Sequence, residues 1–593
     1  MKPSSKWPRF WTGCAILPVL VVTAVFLQGI SRGFDFTDEG FYYLSFSYPG
    51  HVSDNQTSFH LFGAKIFALL GRNIVAMRVW TLLAVFAGTG IFLHGAWRFV
   101  DRFAPDLGPR PEQRNWCNGA ALVAAFLGFA TSPAAFSYNF QNALCLLAAT
   151  GFLLRASAEP PNDVIWNRST LLPLGAFGII AAFQFFVKFS SCVVLAFVGS
   201  SFFFLTSQKR IRQKTALGGM ILGCAGAVAL VYFTLFQSPG RWWQGIMGTA
   251  QGIMGGYATQ AIHRYGGEFA ELVQHAMRNF VPVWVVAVPT LLAVLWLRRK
   301  PRRQAFIAAF GGAWTLAHLL WLMQELEYLT QPGLEFFCGS LILFVLLATV
   351  SSWAKPRTLP ALPSRWRLPV AGAFFFSLPY IGSFGTTNFI HTNCLYQMSP
   401  WFVLAALLLL EVDRIWNTPW PSRLGLSVLV TVACSQFYLG YWQTPYRVAG
   451  SRSEQRVPTT IGQPATTLLL DPRTHTFVVE SRRLLHEQGF KPGDDLLVFF
   501  NLPGFVFAMG GQSPGHPWYF QGSQRSLDLD LMRLRFIDPA RLRRAAIVCN
   551  DAGEEYLTLL RAAGLNFPQD YQRITPPMIS PFTGVPFEIW KPK

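Results

Sequence analysis

Residues 11–44, WTGCAILPVLVVTAVFLQGI followed by SRGFDFTDEGFYYL, decide how the rest of the chain is understood. The run Trp11–Ile30 carries no charge and is long enough to cross about 30 Å of hydrocarbon as a helix. Three carboxylates follow at once: Asp35, Asp38 and Glu39. Acids beside a bilayer are costly to hold, so their presence marks chemistry or an ion path. The segment before the run is basic (Lys2, Lys6, Arg9) and lacks a small-residue cleavage site, which suggests an uncleaved first span.

The same pattern recurs along all 593 residues. The chain is 52% hydrophobic and 13% charged, with a mean hydropathy of +0.32. Soluble globular chains carry about 25% charged residues. The missing charge reflects long uncharged runs, apolar all round, which fit a lipid environment better than one face of a soluble core. Spans are expected near 10–31, 73–97, 118–134, 137–154, 171–188, 191–206, 215–237, 280–297, 304–322, 335–352, 368–384, 396–412 and 424–443, about 13 in all. The fold class is therefore a polytopic α-helical membrane protein.

A net charge of +19 raises the question of nucleic acid. The positive residues, however, gather in short loops between apolar runs: QKRIRQK (208–214), RRKPRR (298–303) and the segment 355–367. That is the positive-inside pattern of cytoplasmic loops, with membrane lipid and not nucleic acid as the partner. Roughly three Lys or Arg lie on the inside for each one outside when the N-terminus is placed in the cytoplasm. The chain is thus expected in the cell (inner) membrane, with its C-terminal region outside the cytoplasm. The nine cysteines show no CxxC or disulfide framework.

Two regions divide the chain, 1–443 and 444–593. Within the first, residues 32–72 are too long for a turn and suggest short amphipathic helices on the outer face. After Tyr441 charge rises and segments shorten. RTHTFVVESRRLLHEQGF suggests an amphipathic helix, DLLVFF (495–500) and AAIVCND (545–551) strands, EEYLTLLRAAGL (554–565) a helix, and VPFEIW (585–590) a closing strand. Alternating strands and helices over about 150 residues predict a small extracytoplasmic α/β domain. No glycine-rich fingerprint opens its helices, so nothing points to a nucleotide.

In TDEGFYY, Thr37 is placed to cap a helix that would carry Asp38 and Glu39 in its first turn. At the outer mouth, either carboxylate suits general base catalysis on a hydroxyl. Lys188, near the outer end of the fifth span, is either a snorkelling anchor or a cation for a phosphate. Arg241, Arg264 and Arg278 border a second outer loop, where a phosphate could meet them. Asn388, His391 and Asn393 offer uncharged hydrogen-bonding groups at the same face. His51, Asp54 and His60 are a suitable donor set for a divalent cation, although their spacing defines no geometry and no metal or other cofactor is firmly implied.

A first span, an Asp-Glu pair followed by Gly and Tyr, and then interfacial helices resemble the start of the GT-C superfamily of membrane glycosyltransferases. Protein O-mannosyltransferases (glycosyltransferase family 39) and lipid A aminoarabinose transferases share it. The segment FHLFGAKIFALLGRNIVAMRVWTLLA (59–84), the Lys188 stretch FFVKFSS, SYNFQNAL (137–144) and SFGTTNF (383–389) extend the likeness over residues 30 to about 400. The resemblance implies Asp38 and Glu39 in catalysis, Asp38 first. It implies Lys188, Arg264 and Arg78 at the donor phosphate. Asp35, His60, Asn139, Asn388 and His391 would then lie around sugar or acceptor. The Lys-Pro-Pro that many members carry is absent; Asp54-Asn55-Gln56-Thr57-Ser58 stands in its place. The implied activity is transfer of a sugar from a polyprenyl-phosphate donor to an envelope glycan, lipid or protein acceptor, with inversion. A transporter or flippase shares the spans but should show paired halves or broken midmembrane helices, which are not evident. A noncatalytic subunit of an envelope glycan assembly complex remains the third alternative.

Overall fold

The computed structural model describes residues 7–52, 57–107, 109–160, 167–254, 366–385, 390–416, 419–499, 502–519, 524–550, 554–576, 578–582, 584 and 586–593, with isolated positions between 266 and 339. The opening apolar run forms α1 (Trp7–Gly29), and Gly33, at φ +70°, turns the chain back towards the bundle. Two short helices follow, α2 (Asp38–Ser47) and α3 (Phe59–Leu69). Asn73 accepts a hydrogen bond from the Ala76 amide and so starts the long α4 (Ile74–Phe103).

The bundle continues with α5 (Pro111–Ala124), α6 (Tyr138–Ser157), α7 (Arg168–Val187), α8 (Phe189–Thr206), α9 (Ile211–Leu235) and α10 (Pro239–Met254). After the undescribed stretch come α11 (Arg367–Ser383), α12 (Ile390–Cys394), α13 (Ser399–Trp416) and α14 (Trp420–Phe437), the last running on as a π turn over Tyr438–Gln443. Helix α4 packs along α6, α6 along α7, α7 along α9, and α1 along α5. The α4–α6 contact is backbone to backbone: a methyl group on Gly95 would sit 2.0 Å from the Gly151 carbonyl. Small residues at such crossings are how helices approach in lipid.

This is a multi-pass membrane protein. Among the described residues five helices are long and apolar enough to span, or six if the pair Ile390–Gln397 and Ser399–Arg414, bent by 72°, counts as one. The spans expected at 280–297, 304–322 and 335–352 lie outside the described residues. The run expected as one span over 118–134 is divided into α5 and a 3-10 turn, Leu127–Ala130. The Ser132-Pro133 pair helps end the helical conformation after the 3-10 turn, since the ring disfavours a helical residue before it, and Ser132 turns its hydroxyl back onto the Gly128 carbonyl at 2.6 Å.

All seven named strands lie after residue 456. β1 (Val457–Ile461) and β2 (Thr466–Leu470) form an antiparallel hairpin. The second sheet runs β3 (Leu496–Val498), β4 (Ala546–Asn550), β7 (Pro586–Pro592), β5 (Tyr571–Arg573), with β6 (Met578–Ile579) also on β7. β3 and β4 are parallel and β7 is antiparallel to its neighbours. Around them lie α15 (Pro472–Glu487), α16 (Pro503–Ala508), α17 (Gln524–Arg535), α18 (Pro539–Arg544) and α19 (Glu554–Ala562). Asp471 caps α15 by accepting from the Arg473 and Thr474 amides.

The C-terminal segments hold the loop after α1 from above. Gly33 donates to the Leu469 carbonyl and Leu469 donates to Ser31, both at 2.8 Å, so the loop pairs with β2. Helix α2 does not lie free on a membrane surface, as its amphipathic pattern suggested. It is wedged between the bundle and α16, with Glu39, Gly40, Tyr42, Tyr43, Leu44, Ser45 and Phe46 buried. A methyl group on Gly40 would stand 2.1 Å from the Gly504 Cα. The glycine pair is what lets the acid-bearing helix meet the C-terminal part.

Candidate active site

The three carboxylates have three different environments. Asp35, fully buried, folds back to cap α2. Its Oδ1 accepts from the Thr37 amide (2.8 Å) and hydroxyl (2.6 Å), and its Oδ2 from the Glu39 amide (3.1 Å). Thr37, the cap expected from sequence, makes no side-chain cap bond; the longer reach of the Asp35 carboxylate takes that role. Burial and then the Asp38 charge push the Asp35 carboxyl up to about 7.

Glu39 is locked. Its Oε1 accepts from Arg78 Nε at 2.8 Å and its Oε2 from Arg78 Nη2 at 2.8 Å, a bidentate pair with both side chains buried. Arg78 also donates to the carbonyls of Ile30 (2.6 Å) and Gly33 (2.9 Å). One arginine on α4 thereby fastens the end of α1, the loop and α2. Arg78 was expected at a donor phosphate; its donors are instead committed to Glu39 and two carbonyls, and the structure makes it a brace. Glu39, expected beside Asp38 in catalysis, likewise has both oxygens occupied.

Asp38 is the open member. Its side chain is 29% exposed. Oδ2 accepts from the Tyr446 hydroxyl at 2.6 Å and lies 3.5 Å from Arg447 Nη1, while Oδ1 has no hydrogen-bond partner among the described residues. Arg447 also donates to the Thr37 hydroxyl at 2.9 Å and stacks 4.9 Å from the Tyr446 ring. Burial and then the Asp38 charge push the Tyr446 hydroxyl far up, so it stays a donor. Neither Tyr446 nor Arg447 was identified from sequence. The only available signal was their position just after the last apolar run.

Lys188 forms the other pole. It sits at the break between α7 and α8, 5% exposed. Its Nζ donates to the Gly382 carbonyl at 2.8 Å and faces the Tyr138 ring at 5.9 Å. The same carbonyl accepts from Asn142 Nδ2 (2.9 Å) and Ser191 Oγ (3.0 Å), and Asn142 in turn accepts from Gln184. No carboxylate pairs with Lys188 among the described residues. Tyr138, whose ring faces Lys188, also lies within electrostatic reach of Asp38. Asn139, next in sequence, is buried there.

The remaining expected residues are dispersed. His60 is buried on α3 beside Phe59. His391 is buried on α12, its Nε2 3.3 Å from the Glu268 carbonyl oxygen, while the Ile390 amide donates to Glu268 Oε2 at 2.9 Å. Glu268 had not been singled out. Arg264 and Asn388 lie outside the described residues, as does Asp54. His51 is drawn to the C-terminal part: its Nε2 accepts from Arg541 Nη1 at 3.1 Å. Among the described residues no group of three or more His, Cys, Asp or Glu is gathered for a metal ion.

No family model matches the chain, and no curated protein matches it. Solved structures do. ArnT from Cupriavidus metallidurans in the apo state is 14% identical, over 98% of both chains, with a TM-score of 0.40. The same protein bound to undecaprenyl phosphate gives 13%, 98% of both chains and 0.37. The Archaeoglobus fulgidus oligosaccharyltransferase in the apo form gives 11%, 96% of this chain, 73% of its own and 0.44. These are GT-C glycosyltransferases, the superfamily that the N-terminal motifs resemble. At this level of likeness no activity, ligand or residue role passes from them to this chain.

Proposed function

We propose that the chain is an integral membrane glycosyltransferase of GT-C type that moves a sugar from a polyprenyl-phosphate donor to an acceptor hydroxyl at the outer face. The observation that carries this reading is the division of labour among the carboxylates. Glu39 is neutralised by Arg78, Asp35 caps a helix, and Asp38 alone keeps a free oxygen and an open side. The Tyr138 ring also faces a buried lysine, Lys188, that has no carboxylate partner among the described residues. A carboxylate with a free oxygen and a buried lysine without an acid, both near one tyrosine, suit a reaction in which one group takes a proton and the other holds a departing phosphate.

In this reading Asp38 Oδ1 accepts the proton of the acceptor hydroxyl. That oxygen forms a bond to the anomeric carbon as the bond from that carbon to the phosphate oxygen breaks, and one displacement inverts the centre. Lys188 holds the leaving phosphate, whose charge grows in the transition state. Arg264 is a second candidate for the same task. Asn139, Asn388, His391 and His60 are candidates for sugar and acceptor hydroxyls, and Asp35 shapes the loop that presents Asp38. Tyr446 and Arg447 orient Asp38. Residues 1–443 would be the catalytic membrane part and residues 444–593 an extracytoplasmic α/β domain that completes the site through α16. The N-terminus and basic loops would face the cytoplasm.

The test is an Asp38→Asn variant expressed in cells lacking the native gene. The expected result is a normally folded protein, accumulation of one lipid-linked sugar by mass spectrometry, and loss of one residue from an envelope glycan, lipid or protein. An Asp38→Asn variant that restores the glycan would sink the catalytic reading and favour a role in assembly.

A further inference from the structure

At the end of the bundle opposite Lys188, helix α8 stops at Thr206 and cations gather around it. Lys214 Nζ donates to the Phe204 carbonyl at 2.6 Å, and Arg367 Nε to the Thr206 carbonyl at 2.8 Å. Arg102 Nη2 donates to Gln208 Oε1 at 3.1 Å. Cations on the last carbonyls of a helix are expected from its dipole. Lys209 goes beyond that. It is 4% exposed, and its ammonium has no hydrogen-bond partner among the described residues. The carboxylate within reach, Glu159, already accepts from Ser169 Oγ at 2.7 Å. A buried ammonium with all three donors idle is unfavourable unless something supplies acceptors.

The surroundings say what kind of acceptor. Among the described residues, Glu159 is the carboxylate within reach of Lys209, while Lys214, Arg367 and Arg102 repel one another, so the cluster favours an anion. Leu205 and Ile211, on either side of the Lys209 loop, are largely exposed, and so is Trp366, whose ring lies 4.8 Å from the Arg367 guanidinium. Such residues at a helix end belong against hydrocarbon, with the aromatic ring at headgroup level. A soluble anion would use the charges and leave the apolar flank idle. We propose that this cluster binds the phosphodiester headgroup of an anionic phospholipid. Lys209 Nζ donates to a phosphate oxygen, Lys214 and Arg367 complete the charge, and the acyl chains run along Leu205 and Ile211.

The test uses the full-length chain purified in a neutral maltoside detergent. Phosphatidylglycerol, phosphatidylcholine and inorganic phosphate are titrated separately, and bound lipid is read by native mass spectrometry alongside thermal unfolding. Phosphatidylglycerol should bind and stabilise; phosphatidylcholine and phosphate should not. Lys209→Gln should weaken phosphatidylglycerol about fivefold, and Lys209→Gln with Lys214→Gln about thirtyfold, from the energy typical of each basic residue near an anionic surface. Lys209→Arg should retain binding, and Arg473→Gln, on an exposed turn of α15, should change nothing. Without lipid, Lys209→Gln should unfold no earlier than the parent, because it removes an uncompensated charge. Equal binding of phosphatidylcholine, equal protection by inorganic phosphate, or unchanged phosphatidylglycerol affinity in both glutamine variants would overturn the proposal. A Lys209→Gln protein that is less stable without lipid yet binds it normally would do so too, since the lysine would then be purely structural.

Discussion

Replacing Glu39 by glutamine keeps the side chain's shape and removes its charge. The neighbouring change, Asp38→Asn, does the same one position earlier. Their consequences should be opposite in kind. Glu39 and Arg78 are both buried, bonded twice at 2.8 Å, and Arg78 reaches on to Ile30 and Gly33. Removing one partner of a buried pair leaves the other charge unpaired, at a cost of ~3–5 kcal/mol. A glutamine still offers one oxygen, but its amide nitrogen would point a donor at a guanidinium that has none to accept it. Asp38 is 29% exposed and keeps its bond from Tyr446 only through Oδ2. Its loss as a charge should change stability by less than ~1 kcal/mol, the usual scale for a part-exposed pair. The assay is a thermal or denaturant unfolding series on purified protein, run beside lipid-linked sugar accumulation in cells. Glu39→Gln should be strongly destabilised, with activity lost in proportion to folded protein. Asp38→Asn should be stable and inactive. A double change, Arg78→Met with Glu39→Leu, should recover much of the stability that either single change loses, because the unpaired charge is gone. Should Glu39→Gln fold normally and lose transfer, while Asp38→Asn keeps it, the assignment of roles within the pair is reversed and the reasoning from burial fails.

Four further outcomes are expected. Lys188→Met should fold at least as well as the parent, since it removes a buried charge with no acid, and should lower transfer by about a hundredfold or more if the cation stabilises a leaving phosphate; an initial-rate assay on the purified protein decides. Tyr446→Phe removes the hydroxyl that holds Asp38 Oδ2 and should lower the initial rate of transfer while changing unfolding stability by only about 1 kcal/mol. Gly40→Ala places a methyl group 2.1 Å from a backbone carbon of Gly504 and should cost at least ~1–3 kcal/mol, visible as early proteolysis of the C-terminal part. Asp35 carries a pKa raised to about 7 against an unfolded value near 4, so it binds more proton folded than unfolded and its contribution to stability falls between about pH 4 and pH 7. Asp35→Asn should lose that slope, and a parent-minus-variant stability difference that is flat or rises between about pH 4 and pH 7 counts against it.

What could be seen in the sequence followed from periodicity and cost. An uncharged run of this length has few stable homes but a bilayer, and α1, α4, α7, α8, α9 and α14 all fall on such runs. Strands β3, β4 and β7 were visible as short apolar runs between polar segments. The hairpin β1–β2 was not, because VPTTI and TTLLL hold a proline and four threonines and alternate only weakly. Nor was the burial of α2. Its apolar residues gave the right period, but its partner, α16, lies more than 450 positions away. Local patterning says that a face wants cover and does not say what covers it.

The site was legible to the same extent and no further. Composition and position singled out Asp35, Asp38 and Glu39 together, and nothing local distinguishes them, since all three are short-range neighbours with the same charge. They are distinguished by residues distant in sequence: Arg78 for Glu39, and Tyr446 with Arg447 for Asp38. A buried guanidinium is best matched by a carboxylate that meets it with two bonds, and Arg78 and Glu39 supply that to one another. Asp35 is taken up by the helix end that it must cap. What is left over is the one acid whose neighbours leave an oxygen uncovered. The same selection runs in reverse at Lys188, which is buried with no carboxylate partner among the described residues. In both places the packing leaves a charged group with spare capacity, an uncovered oxygen on Asp38 beside its Arg447 pair and an ammonium at Lys188 with no carboxylate among the described residues, and that property belongs to the packed molecule and not to any stretch of its sequence.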